Sequence, residues 1–132
     1  MTQGQETLEP VQEDLQSGRN YIRGEWREAR GGRRHTVLDP ATDEATATVP
    51  DSGPEEAREA VDAASAAFAN WRTCPARERA VLLKRWHALI MANADSLARL
   101  MSREQGKPLA EARGEVVYGA SFVEWFAEEG VR

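Results

Sequence analysis

A cysteine becomes a nucleophile when a helix N-terminus or a cationic neighbour lowers its pKa. This chain has one cysteine, Cys74. It stands near an expected helix start, with Arg72 and Arg77 close in sequence. It is also held between Thr73 and Pro75, with no histidine nearby. That context describes a capping-loop cysteine rather than an activated thiolate. The two histidines are His35, in a basic loop, and His87, beside Trp86. No ligand pair has metal spacing, so packing or surface roles are expected for both. Gln105-Gly106-Lys107-Pro108 contains a Gly-Lys pair, but it follows a helix end and runs into proline. Lys107 there reads as a cation at a helix C-terminus, not a phosphate anchor. Glu104, Glu111, Glu115, Glu124, Glu128 and Glu129 fall on expected solvated helix faces, and no pair has a spacing that demands acid–base chemistry. Read from these residues alone, the chain holds no catalytic, cofactor-binding or metal-binding constellation.

The elements that would position such residues come from composition and periodicity. The chain has 132 residues, 41% hydrophobic and 30% charged, the mixture of one modest globular domain. Its 17 basic and 22 acidic residues leave a net charge of −5. A nucleic-acid partner is not expected, because no basic face exists to displace phosphate counterions. No apolar run approaches a bilayer span, and the first residues lack the basic and apolar regions of a secretory signal. A single cysteine suits a reducing compartment, so a cytoplasmic location is expected.

Residues 1–19 are polar and Gln/Glu-rich, and read as a tail with at most a loose helix around Val11–Leu15. From Asn20 the texture changes. Tyr21-Ile22-Arg23-Gly24-Glu25-Trp26-Arg27 predicts two short strands about a turn. Thr36 to Asp39 is extended, since Pro40 bars the preceding residue from the helical region. Ala45 to Val49 alternates threonine with small apolar residues and predicts another strand.

Three long helices are then expected. Ser52-Gly53-Pro54-Glu55 offers a capping serine, an early proline and a capping-box glutamate. Ala57, Ala60, Val61, Ala64, Ala67, Phe68 and Trp71 follow at helical spacing. The second helix opens near Thr73-Cys74-Pro75. Its stripe runs from Leu82 through Met101, and it ends at Gly106 and Pro108. The third starts at Pro108 or Leu109 and buries Ala112, Val116, Ala120, Val123 and Phe126 or their neighbours. Tyr118, Phe122, Trp125 and Phe126 spread around more than one face of it. Such a helix needs cover on several sides, which this chain has little mass to supply. Either further polypeptide or a partner is expected there.

From Met101 the residues become specific. Met101-Ser102-Arg103-Glu104-Gln105-Gly106-Lys107-Pro108-Leu109-Ala110-Glu111-Ala112-Arg113-Gly114-Glu115 strongly resembles a stretch of the aldehyde dehydrogenases. Ala120-Ser121-Phe122-Val123-Glu124-Trp125-Phe126-Ala127-Glu128-Glu129 is similar to their succinate-semialdehyde dehydrogenase branch. Tyr21 to Trp26, Asp39 to Thr42 with Val49-Pro50, Ala57 through Trp71, and then Arg77-Glu78-Arg79 resemble earlier parts of the family in the family's order. The resemblance runs from about Asn20 to Arg132 and is to the N-terminal portion of the family. It implies an α/β fold with a Rossmann-type cofactor domain, of which residues 20–132 are an incomplete part: short strands, then three long helices.

It also implies NAD- or NADP-dependent oxidation of a small aldehyde by a cysteine thiolate, in a homo-oligomer. The family's nucleophile, oxyanion donors and nucleotide contacts lie further along than the matched segment, and Cys74 does not match the nucleophile. A fragment by itself is therefore expected to be inactive and to bind cofactor poorly. What carries over is Tyr118, at a position bordering the family's substrate tunnel, with Phe122 extending that wall. Glu104 matches a position near a monovalent-cation site in some members, though an exposed helix-end acid is the plainer reading. The reading from another class is a catalytically silent helical module that binds a partner through its bare apolar faces.

Overall fold

The computed structural model describes residues 18–132. The helix expected around Val11–Leu15 lies outside them. Two antiparallel hairpins come first. β1 (Asn20–Ile22) pairs with β2 (Glu25–Arg27) through a turn whose residues Arg23 and Gly24 both have positive φ, 56° and 81°. Two such residues match the right-handed twist of the flanking strands. Tyr21 and Trp26 face each other across this hairpin with ring centroids 4.9 Å apart. β3 (Arg34–Leu38) pairs with β4 (Ala45–Pro50), with an irregularity at Val37/Leu38. The expected strands are present, and they form two separate two-stranded sheets.

Helix α1 spans Pro54–Trp71. Its N-cap is Gly53, not the expected Ser52, and the box is closed by Glu56, not Glu55. The physical reason lies in the partners. Glu56 accepts the Gly53 N–H at 2.9 Å with one oxygen and the Arg30 N–H at 2.7 Å with the other. The Ser52 hydroxyl is used elsewhere, accepting from Asn20 Nδ2 at 2.6 Å. Glu56 is buried, and it joins the loop after β2 to the start of α1.

The single second helix expected to reach Gly106 is in fact two: α2 (Ala76–Ala92) and α3 (Ala94–Gln105). The described residues therefore form four helices. The break is at Asn93, with φ −107° and ψ 13°. Its side-chain amide donates to the Leu89 carbonyl at 2.9 Å, competing for the acceptor that would continue the helix. The Asn93 carbonyl then accepts from Leu97 N–H at 3.0 Å and starts α3. The apolar stripe runs through this joint without a gap, so periodicity alone could not show it.

Gly106 ends α3 in the left-handed region at φ 69°, and α4 runs Leu109–Glu129. α4 lies against both α2 and α3. It buries Ala112, Val116, Ala120 and Ala127; Val123 is half-buried and Phe126 is exposed, so the expected inner face is turned toward the smaller neighbour. The core is Ala94, Ala98, Ala112 and Val116, flanked by Ile90, Leu97 and Met101. Among the described residues no large side chain is fully enclosed.

Candidate functional site

Tyr118 and Phe122 sit one turn apart on α4, where i,i+4 side chains meet on one face. Their rings pack edge-on, with centroids 4.8 Å apart and planes at 77°. This arrangement sets the positive edge of one ring on the negative face of the other. The Ser121 hydroxyl between them donates to the Tyr118 carbonyl at 2.7 Å. Tyr118 is 66% exposed and Phe122 45%. They line one side of an open depression that continues over Trp125 and Phe126 to Glu129 and Arg132. Trp125 and Phe126 are each 61% exposed.

The charged rim of this depression is paired. Lys84 reaches Glu128 at 2.5 Å, and that hydrogen bond and charge hold the Glu128 carboxyl below its usual range. Arg132 contacts Glu129 at 3.1 Å. The arrangement offers an aromatic wall for binding, and no bond-making step follows from it.

Cys74 lies elsewhere, at the joint of α1 and α2. Its surroundings are an apolar groove that includes Ala64, Phe68, Trp71 and Leu82. Partial burial and the Glu78 carboxylate, 3.6 Å from Sγ, push the thiol pKa up, and Arg79 opposes them weakly. A thiol held in this way is a poor nucleophile. The arginines close in sequence do not activate it.

His35 is exposed on β3. His87 does more than periodicity suggests: its Nδ1 lies 3.0 Å from the Ala120 carbonyl of α4. That contact joins residues 33 positions apart, and no sequence signal announces it. Lys107 closes the turn between α3 and α4. Its carbonyl accepts from Ser102 Oγ at 2.5 Å, and its ammonium pairs with Glu115. Glu104 is exposed near the end of α3. Among the described residues no cluster of three or more His, Cys, Asp or Glu side chains could hold a metal ion. No described helix is long and apolar enough to cross a membrane.

A dinucleotide needs a strand–turn–helix whose backbone amides cradle the pyrophosphate. The described strands form two antiparallel hairpins, and neither provides that unit. The residues present do not fit the cofactor by themselves.

Short hairpins lead into helices, of which α2 and α3 pack against α4, whose aromatic face is exposed. Residues 26–132 match the model of the aldehyde dehydrogenase family, and the chain belongs to that family. It is 54% identical over 112 residues to the glutarate-semialdehyde dehydrogenase of Pseudomonas putida, covering 85% of this chain and 23% of that protein. It is 52% identical over 111 residues to the NADP(+) succinate-semialdehyde dehydrogenase of Escherichia coli, covering 84% and 23%. The crystal structure of succinate-semialdehyde dehydrogenase from Burkholderia pseudomallei superposes with a TM-score of 0.88 at 50% identity, over 94% of this chain and 26% of that one. The chain thus spans about a quarter of the length of the relatives it matches. The matched part is their N-terminal part.

Proposed function

We propose that residues 20–132 form the outer shell of the cofactor-binding domain of an NAD(P)-dependent aldehyde dehydrogenase, and that the assembled enzyme oxidises succinate semialdehyde to succinate. Glutarate semialdehyde, one methylene longer, is the neighbouring substrate. The observation that carries this reading is the bare apolar surface of a chain that superposes so closely on part of a much larger enzyme. Val61, Phe68 and Trp71 of α1, Leu82 and Trp86 of α2, and the four aromatics of α4 are all exposed here. In this reading the remaining body covers them and supplies the nucleophile and the nucleotide contacts. Tyr118 and Phe122 then border the passage by which the aldehyde arrives. The complete enzyme is a homo-oligomer in a reducing, cytoplasmic setting.

The test is complementation. The 132-residue chain is co-expressed with the Escherichia coli relative lacking its own matched segment, and reduction of NAD(P) by succinate semialdehyde is followed. Turnover by the pair and none by either part supports the proposal. Failure of soluble parts to associate, or turnover by the 132-residue chain alone, overturns it. The same exposed faces also favour the silent interaction module, which forecasts binding to some other partner and no affinity for the dehydrogenase body.

A further inference from the structure

Between α2 and α4 the buried residues include three alanines. Ala80 on α2 and Ala120 and Ala127 on α4 are all buried. Leu83, His87 and Ile90 of α2 are half-buried at helical spacing from Ala80, and Ile90 packs against the core that holds Ala112 and Val116 of α4. Directional bonds add to that packing in fixing the rotation of α4. Lys84 with Glu128 is one, at an exposed ion pair that water screens. His87 with Ala120 is another, and its ring is mostly shielded, with the side chain 24% exposed.

The Ala120 carbonyl is an acceptor, so the bonding nitrogen of His87 must carry the proton. That fixes the Nδ1–H tautomer. Nε2 is left facing Glu124, 4.0 Å from its Oε1. The bonded carbonyl lies two residues from Tyr118 and two from Phe122. We propose that His87 is a positioning residue, whose bond to the Ala120 carbonyl sets the rotation of α4 and thereby the aim of the Tyr118–Phe122 pair. At the ~5 Å outer radius of a helix, a 20° rotation moves a ring by about 2 Å. A displacement of that size at a substrate wall is enough to change turnover. The consequence for substrate rests on the dehydrogenase reading; the helix-positioning role does not.

The experiment separates the two. Histidine-labelled 132-residue chain is examined by long-range nitrogen–proton NMR, and neutral His87 is expected with its proton on Nδ1. Three variants follow. In His87→Asn the side-chain amide replaces Nδ1 and keeps a donor near Ala120. His87→Gln places its amide nearer Nε2, and His87→Phe keeps the ring volume with no donor. Nuclear Overhauser contacts from Tyr118 and Phe122 are expected unchanged in the Asn variant and displaced in the Phe and Gln variants. Amide exchange around Ala120–Glu124 is expected to accelerate about fivefold in the Phe variant, the loss of one ordinary hydrogen bond.

An Nε2–H tautomer, or a Phe variant with contacts and exchange identical to the parent, overturns the proposal. In the complemented enzyme, the Phe variant is expected to lower kcat/KM for succinate semialdehyde, with activity rescued by Asn. Normal turnover by Phe alongside displaced helix contacts would refute the substrate wall and leave the positioning role standing.

Discussion

Gly106 is the position where a single methyl group meets two obstacles at once. Its φ of 69° lies where an L side chain costs roughly 1–2 kcal/mol. A Cβ built there would also sit 2.9 Å from Pro40 Cγ, inside any ordinary contact distance. Pro40 belongs to the β3–β4 hairpin, so the clash would strain the seam between that hairpin and the turn joining α3 to α4. Gly106→Ala is expected to lose about 2 kcal/mol, which for a domain of this size lowers Tm by roughly 8 °C.

The two costs can be separated. Pro40→Ala combined with Gly106→Ala removes the collision and retains the backbone term, so about 1 kcal/mol should return, less whatever Pro40→Ala costs alone. Gly114→Ala is the opposing control. It lies inside α4 with nothing within 4 Å of a new Cβ, and should gain roughly 0.5–1 kcal/mol from helix propensity. Urea unfolding followed by tryptophan fluorescence measures the parent, both single variants at this contact, the double variant and Gly114→Ala. If Gly106→Ala proves as stable as the parent, or moves in the same direction as Gly114→Ala, the argument from φ and close approach is wrong.

Other perturbations test other links. The Glu56 carboxyl is held below its usual value of 4.5 by the Arg30 N–H, then by its own and the Gly53 N–H groups. A depressed folded-state pKa contributes stability that is complete above about pH 4.5 and lost as pH falls through the lower folded value. Glu56→Gln should therefore be less stable than the parent at pH 7, with the gap closing below pH 4 in urea titrations at each pH. Cys74 should react with iodoacetamide more slowly at pH 7 than a free thiol, and Glu78→Gln should speed the reaction. Trp125→Ser and Phe126→Ser should each change unfolding stability by no more than about 1 kcal/mol, because both rings are already mostly in water. The same pair should reduce binding of a hydrophobic dye and weaken association with the dehydrogenase body in complementation.

Local signals were legible wherever the chemistry was local. The turn at Gly24, the Pro54 start of α1 and the Gly106 end of α3 follow from the φ preferences of single residues. What escaped was tertiary. Ser52 is as good an N-cap as exists by type, yet its hydroxyl is engaged by Asn20, 32 residues away. Asn93 breaks a stripe that stays apolar on both sides of it, so the hydrophobic period carried no mark of the joint. Size makes Phe126 a candidate for the inner face, yet the neighbouring Ala127 is buried and Phe126 is exposed. The resemblance puts Tyr118 and Phe122 on one wall, and their edge-on contact brings the two rings together. Their role toward substrate is a matter for the complemented enzyme. The His87–Ala120 bond joins a side chain to a main-chain carbonyl on another helix, and a sequence does not encode which carbonyl will be near.

An inner face made of alanine and an outer face made of tryptophan and phenylalanine invert the usual order of a globular domain. Burying a large apolar side chain completely stabilises by about 1.5–3 kcal/mol, and burying a methyl yields a fraction of that. Each half-exposed aromatic on α4 therefore holds roughly 1 kcal/mol in reserve, available when something apolar lies against it. The alanine seam serves a different purpose. It brings α2 and α3 close beneath α4, so that the outer rings stand on a thin support and project toward whatever covers them. Ile90, Leu97 and Met101 do pack against that seam, but the aromatics of α4 point away from it, so much of the apolar surface of this segment is left open. That is why its own stability should respond weakly to losing Trp125 or Phe126, while assembly with the rest of a dehydrogenase should respond strongly.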